Sequence, residues 1–123
     1  VLTLSGGERS RVLLARVLAG EPDWILADEP LTGLDPGHQL DAADLFRTLA
    51  AKDGCGIIVT LHDLHMALRI ADRIVVLTDG LVLADDIASK ALTPGVLAKA
   101  YGIDAKFSRG AVGALIEIVG RNA

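Results

Sequence analysis

The sequence predicts an α/β fold in which helices flank a parallel sheet, followed by a β-hairpin and a further helix. Two short apolar runs, residues 24–27 and 57–61, each precede a segment with apolar residues at helical spacing. Alternating buried strands and amphipathic helices are typical of a parallel sheet, with strands buried on both faces. Asp79-Gly80 between two later apolar runs predicts the hairpin.

Composition places the chain among globular proteins. Its 123 residues are 51% hydrophobic, which suits one domain or part of one. The net charge of −4 does not favour nucleic acid as a partner. No apolar run approaches the length of a membrane span. Cys55, the single cysteine, is expected to be a small buried or loop residue in a reducing compartment.

The first predicted element is a helix over residues 4–20 that opens with Leu4-Ser5-Gly6-Gly7-Glu8. Ser5 and Glu8 have the spacing of a capping box. That pattern does not account for two glycines in the first turn, which lower helix stability. Glycines there leave backbone N–H groups open to an anion at the positive end of the helix, so this segment predicts a phosphate site.

The next element is a strand that ends in two carboxylates, Asp28 and Glu29, before Pro30 stops it. A third carboxylate, Asp35, lies in the turn that follows. Open α/β sheets bind ligands at the carboxyl ends of their strands. The alternative interpretation of the two acids alone is a strand that ends in a solvated acidic turn.

The rest of the chain first continues the alternation of strands and helices and then gives a hairpin, a helix and a terminal strand. A helix is predicted to about residue 52, and the second strand ends at His62-Asp63. Thr93 is expected to cap a helix within residues 87–101, because Pro94 suits the first helical position. The remaining predicted elements are a helix over 64–71, hairpin strands over 74–78 and 81–84, and a short terminal strand over 115–119.

Four motifs in this order resemble those of the ATP-binding-cassette (ABC) ATPases. Leu4 to Glu8 is similar to the signature motif, and residues 25–30 are similar to the Walker B strand with its glutamate. Gly33-Leu34-Asp35 resembles the D-loop, and Leu61-His62-Asp63 resembles the switch-histidine loop. Each motif alone is a weak match, but the four together favour the family strongly. Residues 1–123 are interpreted as the C-terminal part of one ABC ATPase domain with a partial P-loop NTPase fold.

The resemblance implies roles for the acids and the histidine. Asp28 is implied to hold Mg²⁺ through a water, Glu29 to polarise the attacking water, and His62 to contact the γ-phosphate of ATP. The signature is implied to close over ATP held by a second ATPase subunit, in a head-to-tail homodimer with Asp35 at the same interface. The signature residues concerned are Ser5, Gly6, Gly7 and Glu8.

The chain departs from the family pattern in three places. Ala27 replaces a larger aliphatic residue, and Glu8 replaces a glutamine. The phosphate-binding G-x-x-x-x-G-K-[ST] motif is absent, as are the adenine-stacking aromatic residue and the Q-loop glutamine. In the family these lie N-terminal to the signature, so truncation is the expected cause. This chain alone is therefore expected to bind ATP poorly or not at all.

The C-terminal residues favour one branch of the family. The residues at 79–85, 92–94, 97, 100–102 and 37–40 are similar to those of the ATPases of iron-chelate, haem and cobalamin importers. This resemblance implies a peripheral subunit on the cytoplasmic face of the bacterial inner membrane, bound to a permease and served indirectly by a periplasmic solute-binding protein. Two alternatives stay open: a soluble ABC ATPase acting on nucleic acid or the ribosome, and a non-catalytic interaction fragment.

Overall fold

The computed structural model describes residues 12, 15–16, 18–52, 54–111 and 113–122. The chain divides into two compact units at the bond between His62 and Asp63. Most of the predicted helix over residues 4–20 lies outside the described residues, and so do all four predicted signature residues, Ser5, Gly6, Gly7 and Glu8.

The first unit has the strand, helix and strand that the sequence predicts. Strand β1 spans Trp24–Asp28, helix α1 spans Pro36–Lys52, and strand β2 spans Gly56–Thr60. β1 and β2 pair in parallel and in register, with Asp28 opposite Thr60. The register matters for the site because both strands end at the same edge of the sheet.

The core of the first unit forms between the sheet and helix α1. Ile25, Leu49 and Cys55 are buried together, which confirms the buried position predicted for the cysteine. The prediction that the strands are buried on both faces is wrong for β1, where Trp24 is 65% exposed and Leu26 is 77% exposed. Successive side chains of a strand point to opposite faces, and in the described residues the core cluster lies on the Ile25 side.

The second unit combines short helices with two antiparallel hairpins. β3 and β4 form the predicted hairpin, and both residues of its turn, Asp79 and Gly80, have positive φ angles of 50° and 76°. These angles are typical of the type I′ turn that suits the strand twist. The elements are α2 (Leu64–Ile70), β3 (Arg73–Thr78), β4 (Leu81–Ile87), α3 (Ala88–Ala91), α4 (Pro94–Tyr101), β5 (Ile103–Gly110) and β6 (Gly113–Arg121).

Two predictions for the second unit need correction. The single helix expected over residues 87–101 is two helices, α3 and α4, because Thr93 is extended (φ −123°, ψ 161°) between them. Thr93 does cap α4, accepting a 3.1 Å hydrogen bond from the N–H of Val96. The terminal strand is longer than predicted and pairs with β5, which the sequence analysis missed although Ile103, Ala105 and Phe107 alternate with polar residues.

The core of the second unit is continuous from β3 through the short helices to the C-terminal hairpin. Leu97 of α4 is fully buried at its centre. Its buried members are Ile74, Val76, Ala91, Leu92, Leu97, Ala105 and Ile116. Within the part of the chain that the structure describes, no helix is both long and apolar enough to cross a membrane.

Candidate functional site

The carboxyl ends of β1 and β2 are joined by the side chain of Thr60. Its hydroxyl donates a 2.5 Å hydrogen bond to Oδ1 of Asp28. The hydroxyl oxygen of Thr60 also accepts a 2.8 Å hydrogen bond from the backbone N–H of Glu29. Both bonds follow from the parallel register, which sets Thr60 beside Asp28. Thr60 therefore orients the Asp28 carboxylate and holds the backbone that leaves β1.

Glu29 adopts a backbone conformation that is uncommon for a residue with a side chain. Its φ angle is 48°, in the left-handed region, which costs on the order of 1–2 kcal/mol for a residue other than glycine. Backbone strain of this kind is often found at functional sites. The bond from its N–H to Thr60 helps to hold Glu29 in this conformation.

The Glu29 side chain is paired with His62, the residue two positions after β2. His62 Nε2 lies 2.6 Å from Oε1 of Glu29. An ionised carboxylate can only accept, so the imidazole donates this bond. The side chains of His62 and Glu29 are 80% and 44% exposed. A carboxylate with a fixed orientation is thus open to water and to a ligand.

The loop between β1 and α1 is a series of tight turns. The N–H groups of Thr32 and Leu34 donate to the carbonyl oxygens of Glu29 and Leu31, each at 3.3 Å. Leu31 anchors the loop because its side chain is buried. Gly33 has a φ angle of 82°, which favours glycine at this position.

Asp35 caps the amino end of helix α1. Its Oδ1 accepts a 2.9 Å hydrogen bond from the backbone N–H of His38, and its Oδ2 lies 2.9 Å from His38 Nδ1. The backbone hydrogen bond and then the side-chain hydrogen bond from His38 lower the pKa of Asp35 from its ordinary value of 3.8. The helix that follows Asp35 therefore favours the ionised form of its carboxyl group.

The residues present suit a weakly held hard cation such as Mg²⁺. In the described ranges, no three His, Cys, Asp or Glu side chains are grouped to hold a metal ion. Asp28 is an exposed carboxylate, and Thr60 engages one of its two oxygens. Mg²⁺ commonly takes one or two protein carboxylates and fills its remaining positions with water and phosphate oxygens. Asp28 fits that pattern when a nucleotide supplies the phosphates.

The structure brings three of the predicted site residues together, namely Asp28, Glu29 and His62. The sequence analysis missed Thr60 and His38. No signal in the sequence identifies Thr60, because its contact with Asp28 depends on the register in which β1 and β2 pair. His38 could have been found from its spacing, because a residue three positions after a helix cap is near enough to contact the cap.

Comparisons with known proteins show which family this chain and its fold resemble. A profile of the family described as ABC transporter matches residues 1–32. The structure of a metal-chelate type ABC transporter, in an inward-facing conformation, superimposes with a TM-score of 0.83 at 25% identity, covering 95% of this chain and 48% of that one. The dimeric ATP-binding cassette MJ0796 bound to ADP and Pi superimposes with a TM-score of 0.62 at 39% identity, covering 69% of this chain and 36% of that one.

The chain is also similar to curated proteins that are named for hemin import. The hemin import ATP-binding protein HmuV of Bordetella avium (strain 197N) is 41% identical over 111 residues, which are 85% of this chain and 42% of that protein. HmuV of Rhodopseudomonas palustris (strain BisB5) is 43% identical over 122 residues, covering 93% and 46%. The chain spans less than half the length of these relatives.

The resemblance inferred from the four motifs is confirmed. The chain has part of the ABC ATPase fold and is similar to the C-terminal portion of an ABC transporter ATPase subunit. The relatives named for hemin import and the metal-chelate type structure also confirm the similarity to the importer branch that the C-terminal residues indicated.

Proposed function

We propose that the complete protein is the ATP-hydrolysing subunit of an ABC transporter that energises solute import. The observation that carries the proposal is the Glu29–His62 pair beside Asp28, at the ends of two adjacent parallel strands. The similarity to hemin import ATP-binding proteins and to a cassette bound to ADP and Pi supports it. Because this chain lacks a P-loop, we expect it to be inactive alone.

In this proposal Glu29 accepts the proton of the attacking water, and His62 keeps its carboxylate in position. The 2.6 Å bond to His62 occupies one oxygen of Glu29 and leaves the other for water. A positioned general base typically contributes about 10²–10⁴ in rate. The side chain of His62 is 80% exposed, which leaves it accessible for the contact with the γ-phosphate predicted from the resemblance.

Asp28 is the proposed residue for Mg²⁺, through a bound water. Thr60 donates to Oδ1 of Asp28 and so directs the carboxylate. The ion would neutralise charge on the phosphate oxygens as the terminal phosphate leaves. The role of Thr60 is to keep Asp28 and the Glu29 backbone in a constant relative position.

A second ATPase subunit is the proposed partner for the remaining site residues. Ser5, Gly6, Gly7 and Glu8 would close over the nucleotide of that subunit, with Asp35 at the same interface. In a homodimer arranged head to tail, the signature of each subunit would close over the nucleotide held by the other. The dimeric cassette structures that match this chain support a dimer.

Iron chelate or haem is the proposed transported solute. The support is kinship: relatives at 41% and 43% identity are named for hemin import, and a matching structure is of metal-chelate type. The subunit would dock on membrane permease subunits at the cytoplasmic face of the bacterial inner membrane, with a periplasmic solute-binding protein acting indirectly. The net charge of −4 favours this over action on nucleic acid.

The test is ATP hydrolysis by the complete protein carrying Glu29→Gln. Glutamine keeps the shape of the side chain but cannot take a proton, so kcat should fall at least about 10²-fold while nucleotide binding persists. His62→Ala should also lower kcat, because the Glu29 carboxylate loses its hydrogen-bond donor. Fluorescent-nucleotide binding and phosphate release give the two measurements.

Glu21→Gln is the matched control, because Glu21 is also an exposed glutamate with a positive φ angle, 49°. It should hydrolyse ATP at the wild-type rate. Near-normal turnover by Glu29→Gln would exclude Glu29 as the base. Wild-type protein with no ATPase activity would contradict the proposed function itself.

A further inference from the structure

The first turn of helix α1 holds the preceding loop through two consecutive side chains. His38 Nδ1 lies 2.9 Å from Asp35 Oδ2, in addition to the 2.9 Å bond from its backbone N–H to Oδ1. The side-chain amide of Gln39 donates a 3.3 Å hydrogen bond to the carbonyl oxygen of Leu31. The two ends of the loop, residues 31 and 35, are thus both tied to the helix.

We propose that His38, assisted by Gln39, is a positioning residue that holds Asp35 ready to contact the second ATPase subunit. This inference rests on the proposed function, in which Asp35 lies at that interface. We call these contacts the D-loop brace: His38 to Asp35 and Gln39 to Leu31. The brace acts on turnover because it fixes the loop before two subunits meet.

Capping of the helix alone does not require the His38 side chain. One carboxylate oxygen and one backbone N–H complete an N-cap, and Asp35 has that bond already. The imidazole adds a bond to the second oxygen, and that bond limits rotation of the carboxylate. The pair is well exposed, at 46% for His38 and 61% for Asp35, so it contributes little to stability.

Gln39 restrains the other end of the loop at a point that the core already fixes. Leu31 is 5% exposed, so its carbonyl oxygen has a defined position. Between residues 31 and 35 lies Gly33, which has a wide choice of backbone conformations. Fixing both ends reduces the freedom that glycine gives the loop, and a preorganised loop loses less entropy when a partner binds.

The test compares His38→Ala with His38→Asn in ATP hydrolysis by the complete protein. Asparagine presents an N–H donor near the position of imidazole Nδ1, whereas alanine has none. His38→Ala should lower kcat about fivefold, because a small misplacement at a reaction site can cost up to about 10²-fold. The KM for ATP should stay within about twofold, because Asp35 acts at the closed interface rather than in nucleotide capture. His38→Asn should recover most of the lost kcat.

Asp44→Ala, on the exposed side of the same helix, controls for general effects of truncation on α1. Gln39→Met removes the amide donor at similar size and should lower kcat less than His38→Ala. A double variant provides the sharpest measurement: if His38 acts through Asp35, His38→Ala should cost nothing further in Asp35→Ala.

A wild-type kcat in His38→Ala, or an effect independent of Asp35, would overturn the proposal. The direct readout is the pKa of the Asp35 carboxyl, measured by carbon NMR in the wild type and in His38→Ala. The pKa should rise toward 3.8 in the variant, because the imidazole bond lowers it. A pKa that is unchanged in His38→Ala would also overturn the proposed role of the D-loop brace. A wild-type protein that hydrolyses no ATP, but in which His38 still lowers the pKa of Asp35, would contradict the proposed function and not the contact between the two residues.

Discussion

Thr60→Val tests the connection between the two strand ends. Valine has nearly the shape of threonine without the hydroxyl, so the change removes one hydrogen bond to Asp28 and one from the N–H of Glu29. The register of the sheet and the core around Ile25 should persist. Any effect therefore reports on the hydroxyl.

The expected magnitude follows from the two bonds and their surroundings. A hydrogen bond contributes about 0.5–1.5 kcal/mol net, and water can replace both bonds at this exposed edge, so each falls at the low end. Valine is also a good strand former, and this preference offsets a few tenths of a kcal/mol of the free energy lost with the two hydrogen bonds. The loss of unfolding free energy should thus be about 1 kcal/mol. The left-handed backbone of Glu29 costs a similar amount, so without Thr60 it can relax to another conformation.

The assays are urea unfolding and ATP hydrolysis by the complete protein. Thr60→Val should move the urea midpoint to lower concentration and reduce kcat about tenfold, since the base would lose its fixed position. Thr60→Ser keeps the hydroxyl and should retain most of both properties. If Thr60→Val and Thr60→Ser unfold at the same urea concentration and hydrolyse ATP equally fast, the hydroxyl does not hold the site.

Two further predictions concern the loop and its cap. Gly33→Ala should cost about 1 kcal/mol of unfolding free energy, because φ is 82° there. Gly95→Ala, in helix α4, should be neutral or stabilising, because the added methyl group would meet Thr93 Oγ1 only at an ordinary contact distance of 3.9 Å. Asp35→Asn should lower stability near neutral pH, and the difference from wild type should vanish in acid. The sign follows from the lowered pKa of Asp35: its contribution is present above the ordinary value of 3.8 and is lost as pH falls through the lower folded value.

Urea unfolding at several pH values checks the predictions for Gly33→Ala and Asp35→Asn. Asparagine can still cap a helix, so Asp35→Asn isolates the charge. Equal destabilisation by Asp35→Asn at neutral and strongly acidic pH would contradict the role of the charge. A stable Gly33→Ala variant would contradict the need for a left-handed residue in the loop.

Much of the site was predictable because neighbours in sequence form it. Asp28 and Glu29 end an apolar run, and His62 follows the next one, so parallel pairing brings the three together. The pairing of His62 with Glu29 at 2.6 Å was not predicted, because a distance between side chains of two strands depends on their register. The bond between Asp35 and His38 is local, because the two residues lie three positions apart at the start of a helix.

The sequence by itself determined the order of the elements from β1 to β4, the turn at Asp79-Gly80 and the cap at Thr93, because each depends on the chemistry of a few adjacent residues. Tertiary structure decided which apolar residues are buried: Leu26 is as apolar as Ile25 but is 77% exposed. It also decided the role of Thr60, whose hydroxyl meets Asp28 only when β1 and β2 pair in register. Local propensity acts along the chain, whereas burial and contacts between strands depend on which segments meet in space.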